Sequence, residues 1–127
     1  MCNLYRMDSS SAEVARLLKA TIGSGSNMLV EIYPGYPRLV IAAGELRNMV
    51  WGFPLVMKGK SGQPLKSEPC NNTRADKLDS FMWRYSFQER RCLIAVTAFA
   101  EAEAEKGAKT RTWFSLPDEP VFAVAGI

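Results

Sequence analysis

A cysteine stands second in the chain, behind the initiator methionine and ahead of Asn3, Leu4 and Tyr5. Its side chain is small enough for routine trimming of Met1, which would make Cys2 the mature N-terminus. One residue would then carry a thiol and a free α-amine two carbons apart, with unperturbed pKa values of about 8.5 and about 7.7–8.0. Such a 1,2-aminothiol condenses with an aldehyde, first to an imine and then to a five-membered thiazolidine. An N-terminal residue can also act as a nucleophile with its own amine as base. A small residue at a frayed end is the competing reading, since chain termini are commonly loose.

The rest of the chemical inventory is narrow. There is no histidine, which removes Ser-His and Cys-His dyads and histidine metal sites from these 127 residues. Acid–base work must fall to Asp, Glu, Lys, Tyr, Cys or the terminal amine. Cys2, Cys70 and Cys92 are odd in number and widely spaced, which argues against a disulfide framework and a thiolate zinc site. Cys70 and Cys92 read as structural thiols. No cofactor and no metal are expected.

The net charge is only +3, but its distribution is uneven. Between Lys58 and Arg91 eight basic residues face four acidic ones, with Trp83, Tyr85 and Phe87 interleaved. Cations with aromatics suit a single-stranded nucleic acid, whose phosphates take the charge while bases stack on rings. A solvated helix face over core aromatics has the same appearance.

Several elements must position these groups. The length fits one domain, residues 1–127, and the 47% apolar content is ordinary for a globular chain. No apolar run approaches a membrane span and no secretory signal is visible, so a cytoplasmic location is expected. Ser10-Ser11-Ala12-Glu13 reads as a capping box, and Val14, Leu17 and Leu18 give the helix after it an apolar face. Residues 28–32, 39–43 and 46–53 read as strands of an antiparallel meander, with a tight turn at Gly44-Glu45. Residues 58–69, with Gly59, Gly62, Pro64 and Pro69, read as a surface loop.

Asn71-Asn72-Thr73, with Asp76 three positions on, opens a second helix. Leu78, Phe81, Met82 and Tyr85 form its apolar stripe, with Trp83 and Arg84 off it. Residues 91–99 form a long apolar strand. In the run 100–105, period 2 competes with helix-forming composition. Residues 110–116 and 121–127 flank Pro117-Asp118-Glu119-Pro120 as a β-hairpin. The chain stops within the apolar stretch Val121–Ile127, so a truncated chain is expected, with an exposed C-terminal strand edge open to oligomer contacts.

Six islands together resemble the SRAP family, the SOS-response-associated peptidases. They are Met1-Cys2-Asn3-Leu4-Tyr5, Tyr33-Pro34-Gly35-Tyr36-Pro37, Met49-Val50-Trp51-Gly52-Phe53-Pro54, Asn72-Thr73-Arg74-Ala75-Asp76, the segments Arg91-Cys92-Leu93-Ile94 and Phe99-Ala100-Glu101, and residues 121–127. The resemblance implies an α+β fold built on a curved, mostly antiparallel β-sheet, barrel-like in the complete family, with short helices. It implies a DNA-damage function: capture of abasic sites in single-stranded DNA by a thiazolidine crosslink to the N-terminal cysteine.

Carried onto matching positions, Cys2 is the nucleophile through amine and thiol. Asn72 positions the terminal residue and the sugar, and Glu101 shuttles protons. Arg74 holds a phosphate at a helix start, and Trp51 with Phe53 wedges and stacks bases. Residue types alone leave other roles open: a helix cap for Asn72, an exposed glutamate for Glu101, core filling for Trp51.

Departures accompany the resemblance. Asn3-Leu4 replaces the family's Gly-Arg, and Ala100 and Ala102 replace the tyrosine and tryptophan around the glutamate. The family's histidine motif would lie beyond Ile127. Two rival functions are an autopeptidase in which Cys2 removes its own leading residue, and a non-catalytic DNA-binding or scaffold fragment.

Overall fold

The computed structural model describes residues 2–24, 26, 29–66, 68–103 and 110–127, with the side chain of Glu68 left aside. Among these, two sheets and a small ribbon surround one core. In chain order the elements are β1 (Leu4–Arg6), α1 (Ser11–Leu17), β2 (Thr21–Ile22), β3 (Glu31–Ile32), β4 (Pro37–Ala42) and β5 (Glu45–Val50). They continue with β6 (Phe53–Leu55), β7 (Glu68–Cys70), a 3-10 turn (Ala75–Lys77), α2 (Arg84–Glu89), β8 (Cys92–Val96), β9 (Ala98–Ala102), β10 (Arg111–Phe114) and β11 (Phe122–Gly126).

One sheet runs β10-β9-β1-β3 and the other β11-β8-β4-β5-β2, while β6 and β7 pair alone. Every pairing is antiparallel except Thr21–Ile22 beside Glu45–Leu46. The expected α+β, mostly antiparallel architecture with few short helices is present; neither sheet closes into a barrel. Oily residues from both sheets and from α1 share the core, including Tyr5, Met7, Val14, Leu39, Leu46 and Val96.

The local reasons are mostly legible. The Ser10 hydroxyl accepts from the Glu13 backbone N–H at 3.2 Å, so α1 starts where the capping box said. The β4–β5 hairpin turns at Ala43-Gly44, with φ of 52° and 78°, one residue earlier than expected. Two successive positive φ values match the twist of the flanking strands.

Several expectations change. The strand placed at 28–32 survives only as Glu31–Ile32, with Met28 outside the described residues. It pairs with β1 in the other sheet, so the meander is only the β4–β5 hairpin. The strand placed at 46–53 stops at Val50; Gly52, at φ 118°, turns the chain into β6. The long strand 91–99 is really β8 and β9, divided at Thr97, one in each sheet. In the alternating run, period 2 prevails as β9 through Ala102, with Ala104 and Glu105 outside the described residues.

The predicted C-terminal hairpin is absent. β10 pairs with β9 and β11 with β8, so the two flanks of Pro117–Pro120 enter different sheets. The second helix is shorter and differently phased. A 3-10 turn and bends occupy residues 75–83, and the α-helix begins only at Arg84. Phe81 is 88% exposed and Tyr85 58%, whereas Trp83 is buried. The inward face is Trp83, Ser86 and Phe87, at i, i+3 and i+4, while Arg90 borders the cavity but is exposed.

Candidate functional site

Cys2 lies two residues before β1, whose neighbours are β9 on one side and β3 on the other, so the strand that follows it is held inside a sheet. In this register Leu4 faces Ala100, with Glu101 next along β9. The segment after β7 closes over the same place. Asn72 Nδ2 donates to the Cys2 carbonyl at 2.8 Å, and Asn71 Nδ2 donates to it at 3.2 Å and to Asn3 Oδ1 at 2.8 Å. Trp51 Nε1 in turn donates to the Asn71 carbonyl at 3.1 Å, fixing that segment from below.

These residues border a cavity of about 620 Å³. All three cysteines line it, with Tyr5, Arg38 and Asn72 among the polar groups and Phe53, Trp83 and Phe87 among the rings. Phe53 and Trp83 pack edge to face, with ring centroids 5.4 Å apart. The Cys2 Sγ–H donates to the Leu4 carbonyl at 3.2 Å. Burial pushes the Cys2 thiol above its ordinary range and the charge of Glu101 adds to this, while backbone groups of Leu4 and Ala100 act in the opposite direction.

Of the expected site residues, Cys2 and Asn72 come together directly, and Glu101 is close enough to bias the thiol. Asn72 is not a helix cap: the residue before the 3-10 turn is Arg74, whose side chain caps nothing. Arg74 projects into solvent, 77% exposed, and its Nε is 2.8 Å from Asp76 Oδ1. With only a three-residue 3-10 turn behind it, Arg74 gains no helix-terminus N–H array for a phosphate. Trp51 is 5% exposed and belongs to the core, its ring tilted 60° against that of Tyr5 with centroids 5.3 Å apart. Phe53 is half-buried at the cavity wall.

Three features escaped the sequence reading. Asn71 shares the Cys2 carbonyl with Asn72, and the doubled asparagine was its only signal. Arg38 lies at the cavity, and the signal was one cation opening the apolar strand Leu39-Val40-Ile41. Tyr5 is 97% buried by its 3% exposure, yet its hydroxyl has no hydrogen-bond partner; Arg38 Nε is likewise buried and unpartnered.

No group of three or more His, Cys, Asp or Glu among the described residues is arranged to hold a metal ion. No helix there is long and apolar enough to cross a membrane.

A family model described as SOS response associated peptidase (SRAP) matches residues 1–127. Among curated proteins none matches. Two solved structures share the fold. A protein from Bordetella bronchiseptica superposes with a TM-score of 0.75 at 18% identity, covering 98% of this chain and 62% of its own. One from Bacteroides thetaiotaomicron gives 0.71 at 17% identity, covering 98% of this chain and 58% of its own. The chain thus spans about three-fifths of the length of these relatives.

Proposed function

The chain belongs to the SRAP family, and on that premise we propose that it binds single-stranded DNA and captures abasic sites covalently through Cys2, in the response to DNA damage. The observation that carries this reading is the double amide clamp on the Cys2 carbonyl at the edge of an open cavity. A terminus held this firmly is set for work that a frayed one could not perform.

The chemistry balances without a redox partner. Hydrolysis of the Met1–Cys2 peptide bond frees the amine. The amine adds to the ring-opened sugar aldehyde and expels one water to give an imine. The thiol sulfur then attacks the imine carbon, and its proton passes to the nitrogen, closing the thiazolidine. Glu101 is the proton carrier for dehydration, and Asn72 keeps the terminal residue aimed into the cavity. Phe53 supplies an aromatic wall beside the sugar. Arg74 is a surface contact to the strand that must first exchange Asp76 for phosphate.

The test is direct. The Met1-trimmed protein, incubated with a single strand carrying one abasic site, should give a heat-stable shifted band that Cys2→Ala abolishes. Equal bands from both proteins, or none from either, would sink the proposal. The family description favours a second reading, in which Cys2 serves as an autopeptidase nucleophile against its own leading residue. Intact mass separates the two: spontaneous loss of Met1 by the purified chain, blocked in Cys2→Ala, with no DNA adduct, would select the autopeptidase.

A further inference from the structure

We propose that Arg38 and Tyr5 form an oxyanion site within the Cys2 cavity and that its occupant is a phosphate of the bound strand. This rests on the proposed single-strand reading for the identity of the occupant, though not for the existence of the site.

The argument begins with an uncompensated charge. Burial lowers the pKa of Arg38, but from a value so far above neutrality that the guanidinium stays protonated. Its Nε is buried without a partner, and its guanidinium lies 5.6 Å from the ring centroid of Trp51. The groups that bear on it electrostatically are Tyr5 and Cys92, not a carboxylate. Burial raises the pKa of both above the ordinary range, so each is neutral near pH 7 and leaves the cation unbalanced. Arg38 is half-buried, and a cation partly taken out of water with an unpartnered Nε and no carboxylate beside it favours an anion at the cavity it lines.

The second observation is the Tyr5 hydroxyl, buried and also without a partner. Tyr5 is coupled to Arg38 on one side and to Cys2 on the other, and all three line the one cavity. Fixed guanidinium N–H groups and a phenol O–H are donors alone toward an anion, a set suited to phosphate oxygens. A cavity of about 620 Å³ is roomy enough for a sugar with a phosphate attached. A phosphate held by Arg38 would bring its sugar to Cys2, so this pair selects substrate and does not react with it.

The same chemistry could come from an internal diester beside the lesion or from a terminal phosphomonoester at a strand break, and the probes distinguish them. Binding is measured with single strands carrying tetrahydrofuran, an abasic analogue without an aldehyde, so crosslinking does not interfere. Wild type should bind at least about tenfold more tightly than Arg38→Met. Methylphosphonate linkages beside the tetrahydrofuran should weaken wild type by a similar factor and leave Arg38→Met unchanged. Arg38→Lys, which keeps the charge but loses the fork, should fall between them. Tyr5→Phe, which deletes one oxygen, should weaken binding severalfold and guards against a folding artefact in the Arg38 variants. A strand ending in tetrahydrofuran 3′-phosphate that binds more tightly than the internal lesion would assign the monoester.

Equal binding by wild type and Arg38→Met, or the same methylphosphonate penalty in both, would overturn the site while leaving covalent capture intact. If wild type neither binds nor crosslinks DNA, the proposed function fails and inorganic phosphate decides the site. A rise in melting temperature for wild type and not for Arg38→Met supports it, and no rise overturns it.

Discussion

The Cys2 thiol is half-buried, and its burial and Glu101 both hold it in the protonated form. Thiolate therefore forms later on raising the pH than it does in free cysteine. Alkylation at Cys2, followed by peptide mass spectrometry, should reach half its plateau above about pH 8.5. A midpoint at or below that value would mean that the thiol is not buried in solution. Linkage has the matching sign: the folded chain keeps a proton that the unfolded chain releases, so stability falls as pH rises through and above about 8.5. At this scale the sequence was informative where chemistry is tied to residue type. An aminothiol precursor has one natural position, and Cys2 occupies it. It was uninformative where the role comes from surroundings. Arg38 and Arg74 are the same residue type, yet one is half-buried beside the Trp51 ring and the other lies in solvent against Asp76.

Elements were legible when a local signal decided them and obscure when a distant partner did. The α1 cap is local, and it held. The stripe at Leu78, Phe81, Met82 and Tyr85 would need one helix through residues 75–89, and the 3-10 turn at Ala75–Lys77 breaks that phase. A competing stripe at Trp83 and Phe87 was present all along, but only the cavity it faces distinguishes it. Likewise, nothing local to Thr97 says that β8 and β9 enter different sheets. Gly52 is the element-scale position with the clearest demand. Its φ of 118° is open to glycine, and an added Cβ would collide with Pro69 of β7. Gly52→Ala should cost about 1–3 kcal/mol in urea denaturation and loosen the segment that carries Asn71 and Asn72. An unchanged midpoint would mean that the β6–β7 ribbon is free to move aside.

Seen whole, the molecule ties its first residues to much later ones. The Cys2 carbonyl waits for Asn71 and Asn72, and β1 finds its longest pairing with Ala98, Phe99 and Ala100 of β9. Antiparallel character was readable from alternation and turn signals, and the α+β class followed from the family resemblance, but strand order was not readable, because such long-range pairings leave no local mark. This wiring also sets a clock during synthesis. At about 5–20 residues per second, roughly 5–20 s pass between the emergence of Cys2 and that of its β9 partner. During that interval the leading methionine is open to aminopeptidase, and afterwards the neighbouring carbonyl is clamped. Ribosome-stalled chains ending near residue 60 should lose Met1 as fast as a free peptide, and the completed fold several times more slowly; equal rates would remove the clock. Activation of the terminus would then belong to the nascent chain, completed before the protein has a cavity in which to use it.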